Sequence, residues 1–213
     1  MKQYGFYFDS DRCTGCKTCE LACKDYKDLG TDVNFRRIYE YTGGTWNQQS
    51  DGCWHQDVFA YYMSISCNHC ANPACTAVCP TGAMHKNEDG FVIVNEETCI
   101  GCRYCHMACP YDAPQYDAQK GHMTKCDGCY SRVKTGQKPI CVDACPLRAL
   151  DFAPIDELRA KYGNQASIAP LPPAEITHPN LVVKPNKNSQ NLPCLYSTKS
   201  SIFFDFVKHV NNI

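Results

Sequence analysis

Sixteen of the eighteen cysteines in this 213-residue chain fall into four successive groups of four. They are Cys13, Cys16, Cys19 and Cys23; Cys67, Cys70, Cys75 and Cys79; Cys99, Cys102, Cys105 and Cys109; and Cys126, Cys129, Cys141 and Cys145. The first and third carry the spacing Cys-x2-Cys-x2-Cys-x3-Cys of bacterial-type iron-sulfur ligation. A cube of four irons and four sulfides needs thiolates from several directions and backbone N–H groups aimed at its charged sulfurs. Cysteines two residues apart supply both, because the loop between them wraps around the cube. The fourth cysteine lies about one helical turn further on, roughly 5.4 Å along the axis, and so reaches toward a neighbouring cluster. Three quartets end in Cys-Pro (Cys79-Pro80, Cys109-Pro110 and Cys145-Pro146), where proline fixes φ and turns the chain away; in the first, Lys24 takes that place.

Two other uses of so many cysteines are weaker. A disulfide scaffold suits small secreted domains, whereas this chain is larger and its Cys-x2-Cys repeats suit metal. Zinc would fit the last quartet taken by itself, with eleven residues between Cys129 and Cys141, but its three ferredoxin-like neighbours favour iron. Cys53 and Cys194 stand at no ligand spacing and read as free thiols.

A formal net charge of -1 gives no reason to expect a nucleic-acid partner, and no apolar run approaches the ~20 residues of a membrane span. Residues 1–8 lead straight into the first cysteine loop without the basic start and apolar core of a signal peptide. The intervals between quartets are short, so the expected fold is α+β: two nested bacterial-ferredoxin-like two-cluster units of short strands and helices. Strands are expected at residues 4–8, 59–65, 91–94 and 149–152, and a short helix at 154–162. The division read from the sequence is an outer unit (1–23 and 120–153), an insertion (24–58), an inner unit (59–119), and a helix with an extended proline-rich tail (154–213). In the insertion, Tyr39, Tyr41, Trp46 and Trp54 are expected to fill the core under a β-hairpin rather than to meet a partner. The proline-rich stretch from Pro170 to Pro193 either lies over another subunit or wraps back on this one.

With these quartets in place, the chain resembles the four-cluster iron-sulfur subunits of molybdopterin-dependent oxidoreductase complexes, most of all those of bacterial anaerobic dimethyl sulfoxide reductases. The resemblance lies in CTGCKTCELACKDYKDL from Cys13, FRRIYEYTGG from Phe35, SCNHCANPACTAVCPTGAMHK from Ser66, CIGCRYCHMACPY from Cys99, and GHMTKCDGC with CPLRALDF. It covers residues 3–188, and the tail from Ser189 departs from it. The third quartet is complete, with Cys102 present, so the resemblance implies four 4Fe-4S clusters. It also implies an electron relay without a substrate site of its own. Its partners would be a quinol-oxidising membrane anchor and a molybdenum catalytic subunit that reduces dimethyl sulfoxide and related S- and N-oxides, in a heterotrimer peripheral to the cytoplasmic membrane. Co-export with the catalytic subunit would place it on the periplasmic face.

If the fourth cysteine crosses over in each unit, Cys67, Cys70 and Cys75 share a cluster with Cys109, and Cys99, Cys102 and Cys105 share one with Cys79. By the same rule Cys13, Cys16 and Cys19 join Cys145, and Cys126, Cys129 and Cys141 join Cys23. The same relay could serve a formate dehydrogenase, a polysulfide reductase or a tetrathionate reductase. A stand-alone enzyme is disfavoured, since there is no Gly-rich nucleotide loop and the seven histidines form no recognisable constellation. His69 and His106 lie inside quartets, where they suit packing or tuning. Arg103 and Lys125 either tune a cluster or lie solvated at the surface.

Anaerobic analysis should return roughly sixteen irons per chain, four for each cube. Replacing Cys53→Ser and Cys194→Ser together should leave that number unchanged; about twelve irons and one zinc would identify the last quartet as a zinc site.

Overall fold

The computed structural model describes residues 2–189. Its central sheet has three strands in the order β10–β1–β11: β1 (Tyr4–Asp9) in the middle, β10 (Leu150–Pro154) antiparallel to it and β11 (Leu181–Lys184) parallel to it. Register runs Tyr4 to Pro154 and Phe8 to Leu150 on one side, and Phe6 to Leu181 and Asp9 to Lys184 on the other. Side chains alternate along β1, as the period of a strand requires. Phe6 and Phe8 point into the main core with Phe91 and Phe152. Tyr7 points to the opposite face, where α6 (Ile155–Tyr162) covers the sheet with Ile155 and Leu158 against Val182. Tyr162 stacks on Tyr7 at 3.7 Å between ring centroids. Asp156 and Glu157 in the first turn of α6, and Arg159 and Lys161 in its last, are ordered to suit the helix dipole.

The cysteines ride on short helices: α1 (Thr18–Tyr26), α2 (Ala74–Ala77), α3 (Tyr104–Ala108), α4 (Tyr130–Lys134) and α5 (Ile140–Asp143). Helix α1 packs on α5, and α2 on α3. Lys24, standing where the other quartets have proline, lets α1 continue past Cys23. Its ammonium donates to the Thr31 and Val33 carbonyls and to Asn34 Oδ1, so it also anchors the start of the insertion. Two-stranded hairpins follow the second and third quartets, β6 (Met84–Lys86) with β7 (Val92–Val94) and β8 (Gln115–Asp117) with β9 (His122–Thr124).

Within residues 24–58 and just beyond, β2 (Arg37–Gly43) pairs with β5 (Phe59–Ile65) in an antiparallel ladder from Arg37–Ile65 to Gly43–Phe59. Beyond it a smaller ribbon, β3 (Trp46–Gln48) with β4 (Trp54–Gln56), extends the hairpin. Tyr39 and Tyr41 pack against the main core, but Trp46 and Trp54 are 63% and 59% exposed, so the expectation that all four aromatics fill the core fails for the two tryptophans. The ribbon is too short to fold back over them.

The proline-rich segment wraps back on its own chain as far as it is described. Ile168 and Leu171 are buried in the main core, Val182 is 0% exposed, and β11 forms one side of the central sheet. Cys194 and the apolar stretch from Ile202 lie outside the described residues. Leu181→Ala should cost about 2–5 kcal/mol, the usual range for emptying a closed leucine site. Its readout is faster loss of visible absorbance on heating, and a change too small to measure would mean that β11 is dispensable.

Candidate metal centres

Each cysteine loop is built by the same backbone device. Gly15, Gly101 and Gly128 stand just before the second cysteine of their quartets and all have positive φ, 71°, 67° and 70°. The residue after that cysteine, or the cysteine itself, is left-handed too: Lys17 at 58°, Arg103 at 65° and Cys129 at 51°. In the first and third quartets the left-handed residues flank the cysteine, an alternation that turns successive N–H groups toward one concavity and makes an anion nest; in the fourth, two left-handed residues stand together. At two of these positions a side chain would also have no room. A Cβ on Gly15 would come within 2.4 Å of the Tyr62 ring, and one on Gly128 within 2.4 Å of Phe91.

In the second quartet His69 occupies the glycine place, at φ 44° and buried. Its strained backbone is held from three sides. The His69 N–H donates to Cys67 Sγ at 3.5 Å, its Nδ1 accepts from the Val92 N–H at 3.0 Å, and its carbonyl accepts from Asn180 Nδ2 at 2.6 Å. Burial, followed by the charge of nearby Lys125, pushes the imidazole pKa well below its ordinary value, so His69 stays neutral.

Backbone N–H groups aim at cysteine sulfurs of the second, third and fourth quartets: Met84 to Cys79 at 3.3 Å, Met123 to Cys99 at 3.4 Å, Gly128 to Cys126 at 3.4 Å and Ala149 to Cys145 at 3.3 Å. The Met84 and Met123 donors lie on β6 and β9 and Ala149 just before β10, whereas Gly128 belongs to the cysteine loop itself.

The folded chain gathers the cysteines in four places. Cys13, Cys16, Cys19 and Cys145 line one partly open pocket together with Ile38 and Leu150. Cys79, Cys99, Cys102 and Cys105 line a second, beside Met84 and Met123. Cys67, Cys70, Cys75 and Cys109 are mutual neighbours, and Cys23 lies with Cys129, Cys141 and Cys126. Among the described residues no three His, Cys, Asp or Glu side chains stand close enough to hold a single ion.

The thiols show how strongly these places call for a cation. Burial, with added repulsion from neighbouring sulfurs, raises Cys13 to about 11, Cys23 to about 12, Cys70 to about 12 and Cys105 to about 11. Burial raises Cys75, Cys109 and Cys126 as well. Cys16 is the opposite case, lowered by the Thr18 hydroxyl and N–H beside an exposed sulfur. At Cys79 burial works upward but the Met84 N–H and Thr81 hydroxyl outweigh it, and the thiol is lowered. A buried thiolate is costly unless a positive charge meets it, and clustered iron supplies that charge. The residues therefore fit 4Fe-4S groups: four sulfurs around a space, inward N–H donors, and the buried Arg36 Nε and His69 Nε2, which have no protein partner.

Other candidates from the sequence are placed less centrally. His106 bonds the Pro114 carbonyl and Asp112, each at 2.8 Å, and Asp112 also holds Arg37. Arg103 lies over the Tyr116 ring at 4.0 Å, and Cys53 is exposed on the ribbon. Lys125 is 4% exposed, which excludes the solvated role that the sequence left open.

Such loops define a ferredoxin-like iron-sulfur protein, and comparison with known families agrees: residues 58–155 match the 4Fe-4S dicluster domain, and residues 4–25 a 4Fe-4S binding domain. The chain is 91% identical to the B subunit of the anaerobic dimethyl sulfoxide reductase of Haemophilus influenzae over 88% of its length and 91% of that protein's. It is 73% identical to the corresponding B subunit of Escherichia coli K12 over the same shares, and 38% identical to the thiosulfate reductase electron transfer subunit of Salmonella typhi over 73% and 78%. The chain belongs to the family of anaerobic dimethyl sulfoxide reductase B subunits. It is an electron-transfer subunit of a multi-subunit reductase, and its cofactors are four 4Fe-4S clusters.

Ligation requires thiolate, so loading the metal-free chain with iron and sulfide should release protons. Thiols raised to about 11 or 12 are still protonated near neutrality, and Cys16 and Cys79 lose theirs first as pH rises. Release per chain, read with a pH indicator, should therefore be larger at about pH 7 than at about pH 9.

Proposed function

We propose that the chain is a non-catalytic relay between a quinol-oxidising membrane anchor and a molybdenum catalytic subunit that reduces dimethyl sulfoxide and related S- and N-oxides. The three subunits form a heterotrimer on the cytoplasmic membrane, with this subunit carried to the periplasmic face by co-export. No helix among the described residues is long and apolar enough to cross a membrane, which agrees with a peripheral place. The ligand sets are Cys13, Cys16, Cys19 and Cys145; Cys67, Cys70, Cys75 and Cys109; Cys99, Cys102, Cys105 and Cys79; and Cys126, Cys129, Cys141 and Cys23. Two ferredoxin-like units are thereby nested, residues 59–119 inside and residues 1–23 with 120–153 outside. Residues 24–58 form the insertion and residue 154 onward the C-terminal segment.

The observation that carries this reading is the grading of exposure along the four sets. Cys16 in the first set is exposed, and Cys79, Cys99 and Cys102 in the third are partly so. All four cysteines of the Cys126 set are buried, whereas in the second set Cys67 and Cys75 are buried and Cys70 and Cys109 are half-buried. Neighbour relations give the order: Cys19 lies beside Cys141, Cys126 beside Cys67, and α2 with Cys75 packs on α3 with Cys105. Openings at the two ends, with a fully buried station and a half-buried one between them, are what a relay needs.

Bound in these places, a 4Fe-4S cluster accepts and gives up one electron at a time while keeping its four thiolate ligands. The chain's own residues hold it by inward N–H groups, bury the Cys126 station most fully, and leave apolar surface at each end. Leu21 and Leu147 are exposed near the first set, and Ile100, Tyr104 and Met107 near the third. Exposed apolar residues grouped around an opening suit a partner surface. The same relay for another molybdoenzyme is the runner-up, and the 91% identity to a dimethyl sulfoxide reductase subunit against 38% to a thiosulfate reductase subunit favours the first.

The complex purified with its partners should give four cluster signals by EPR. Cys109→Ala should disturb the cluster of Cys67, Cys70 and Cys75; loss of the Cys99 cluster in its place would overturn the crossed ligand sets. The chain alone, free of molybdenum, should reduce no sulfoxide with an artificial donor, and turnover by it would overturn the relay.

A further inference from the structure

Arg36 and Lys125 are 2% and 4% exposed, and neither makes an ion pair with a carboxylate among the described residues. Burying a cation without a counter-charge is costly, so both positions require an anion that the carboxylates do not provide. Arg36 donates from Nη1 to the Ser64 carbonyl at 3.2 Å and Oγ at 2.9 Å, and from Nη2 to Ser66 Oγ at 2.9 Å. Its guanidinium lies over Phe6 at 4.9 Å, and Nε has no partner. Lys125 donates to the carbonyls of Cys126, at 2.6 Å, and Val92.

Both cations sit at joints between cysteine sets. Around Arg36 are Cys141, Cys19 and Cys126, from the fourth and first sets; around Lys125 are Cys67, Cys126 and Cys75, from the second and fourth. The set containing Cys126 is thus flanked by both. Ser64 adds a link: a hydroxyl that accepts from Arg36 keeps its single proton for another partner, and Cys19 Sγ is 3.5 Å away.

Resting on the ligand sets proposed above, we infer that Arg36 and Lys125 are positioning residues that raise the reduction potential of the cluster held by Cys126, Cys129, Cys141 and Cys23. Uptake of an electron makes a cluster more negative by one charge, and a fixed cation in a dry, weakly screened site stabilises the reduced form over the oxidised one. Arg36 extends the effect through Ser64 to the first set, and Lys125 to the second. The cysteines of the Cys99 set are not among those nearest either cation, and the midpoint of that set is expected to stay.

The test is an EPR-monitored redox titration of the whole complex with iron analysis on the same samples. Lys125→Met should lower the midpoint of the fourth-set cluster by at least tenfold in its one-electron equilibrium, about 59 mV, with a smaller fall at the second set and none at the third. Arg36→Met should lower the fourth and first sets, and Arg36→Lys and Lys125→Arg should recover most of the loss. Ser64→Ala, a small change at a hydroxyl, should lower the first set alone. Full iron with unmoved midpoints would overturn the inference. If both methionine variants lose iron, Ser64→Ala decides, and an unmoved first-set midpoint there overturns it. Fewer than four cluster signals in the unaltered complex would instead sink the ligand sets.

Discussion

Sulfur that is both buried and negatively charged is the constraint on which the rest of this structure depends. A domain of this length would ordinarily rest on one continuous apolar core, yet here cysteines occupy the middle of it: Cys19, Cys23, Cys67, Cys126, Cys141 and Cys145 share a single packed cluster with Phe6, Phe8, Phe91 and Phe152. Their thiolates are tolerable only beside a compensating charge. Iron therefore does two jobs, neutralising the sulfurs and cross-linking helices too short to be stable by themselves. The four-residue helices α2 and α5 have meaning only as carriers of Cys75 and Cys141.

Because the same groups support the fold and the electron path, exposure becomes the variable that separates their roles. Sulfurs near the surface, such as Cys16 and Cys79, are stabilised as thiolates by hydroxyl and N–H donors. Interior sulfurs depend on Arg36, Lys125 and the metal. On the relay proposed above, unequal burial gives chemically equal cubes unequal surroundings, and such inequality lets identical cofactors differ in potential.

Much of this was legible in the sequence because ligand spacing is local. The quartets, the strands at residues 4–8 and 59–65, and the helix after Pro154 were all readable from short windows. The glycine preceding each second cysteine was a signal in plain view at Gly15, Gly101 and Gly128, and His69 at the fourth such place was the anomaly that pointed to a special loop. What was hidden depends on long-range pairing. Nothing in the residues around Leu181 says that they lie beside Phe6, since a three-residue apolar run among prolines looks like any tail segment. Trp46 and Trp54 looked like core because aromatics usually are. Lys125 stayed open between tuning a cluster and lying solvated, and only its packing between Val92 and the cysteines decides it.

The central sheet has an unusual relation to chain order. Strand β1 is the first element made, yet its neighbours β10 and β11 come from residues 150–154 and 181–184, so the first strand waits with both edges bare until almost the whole described chain exists. Synthesis at about 5–20 residues per second leaves the apolar Phe6 and Phe8 unpaired for many seconds. Residues 59–119, by contrast, emerge as a contiguous block that can fold early. The sheet at the centre of the fold is therefore the part of the described chain that can close only when the C-terminal segment arrives to lock it.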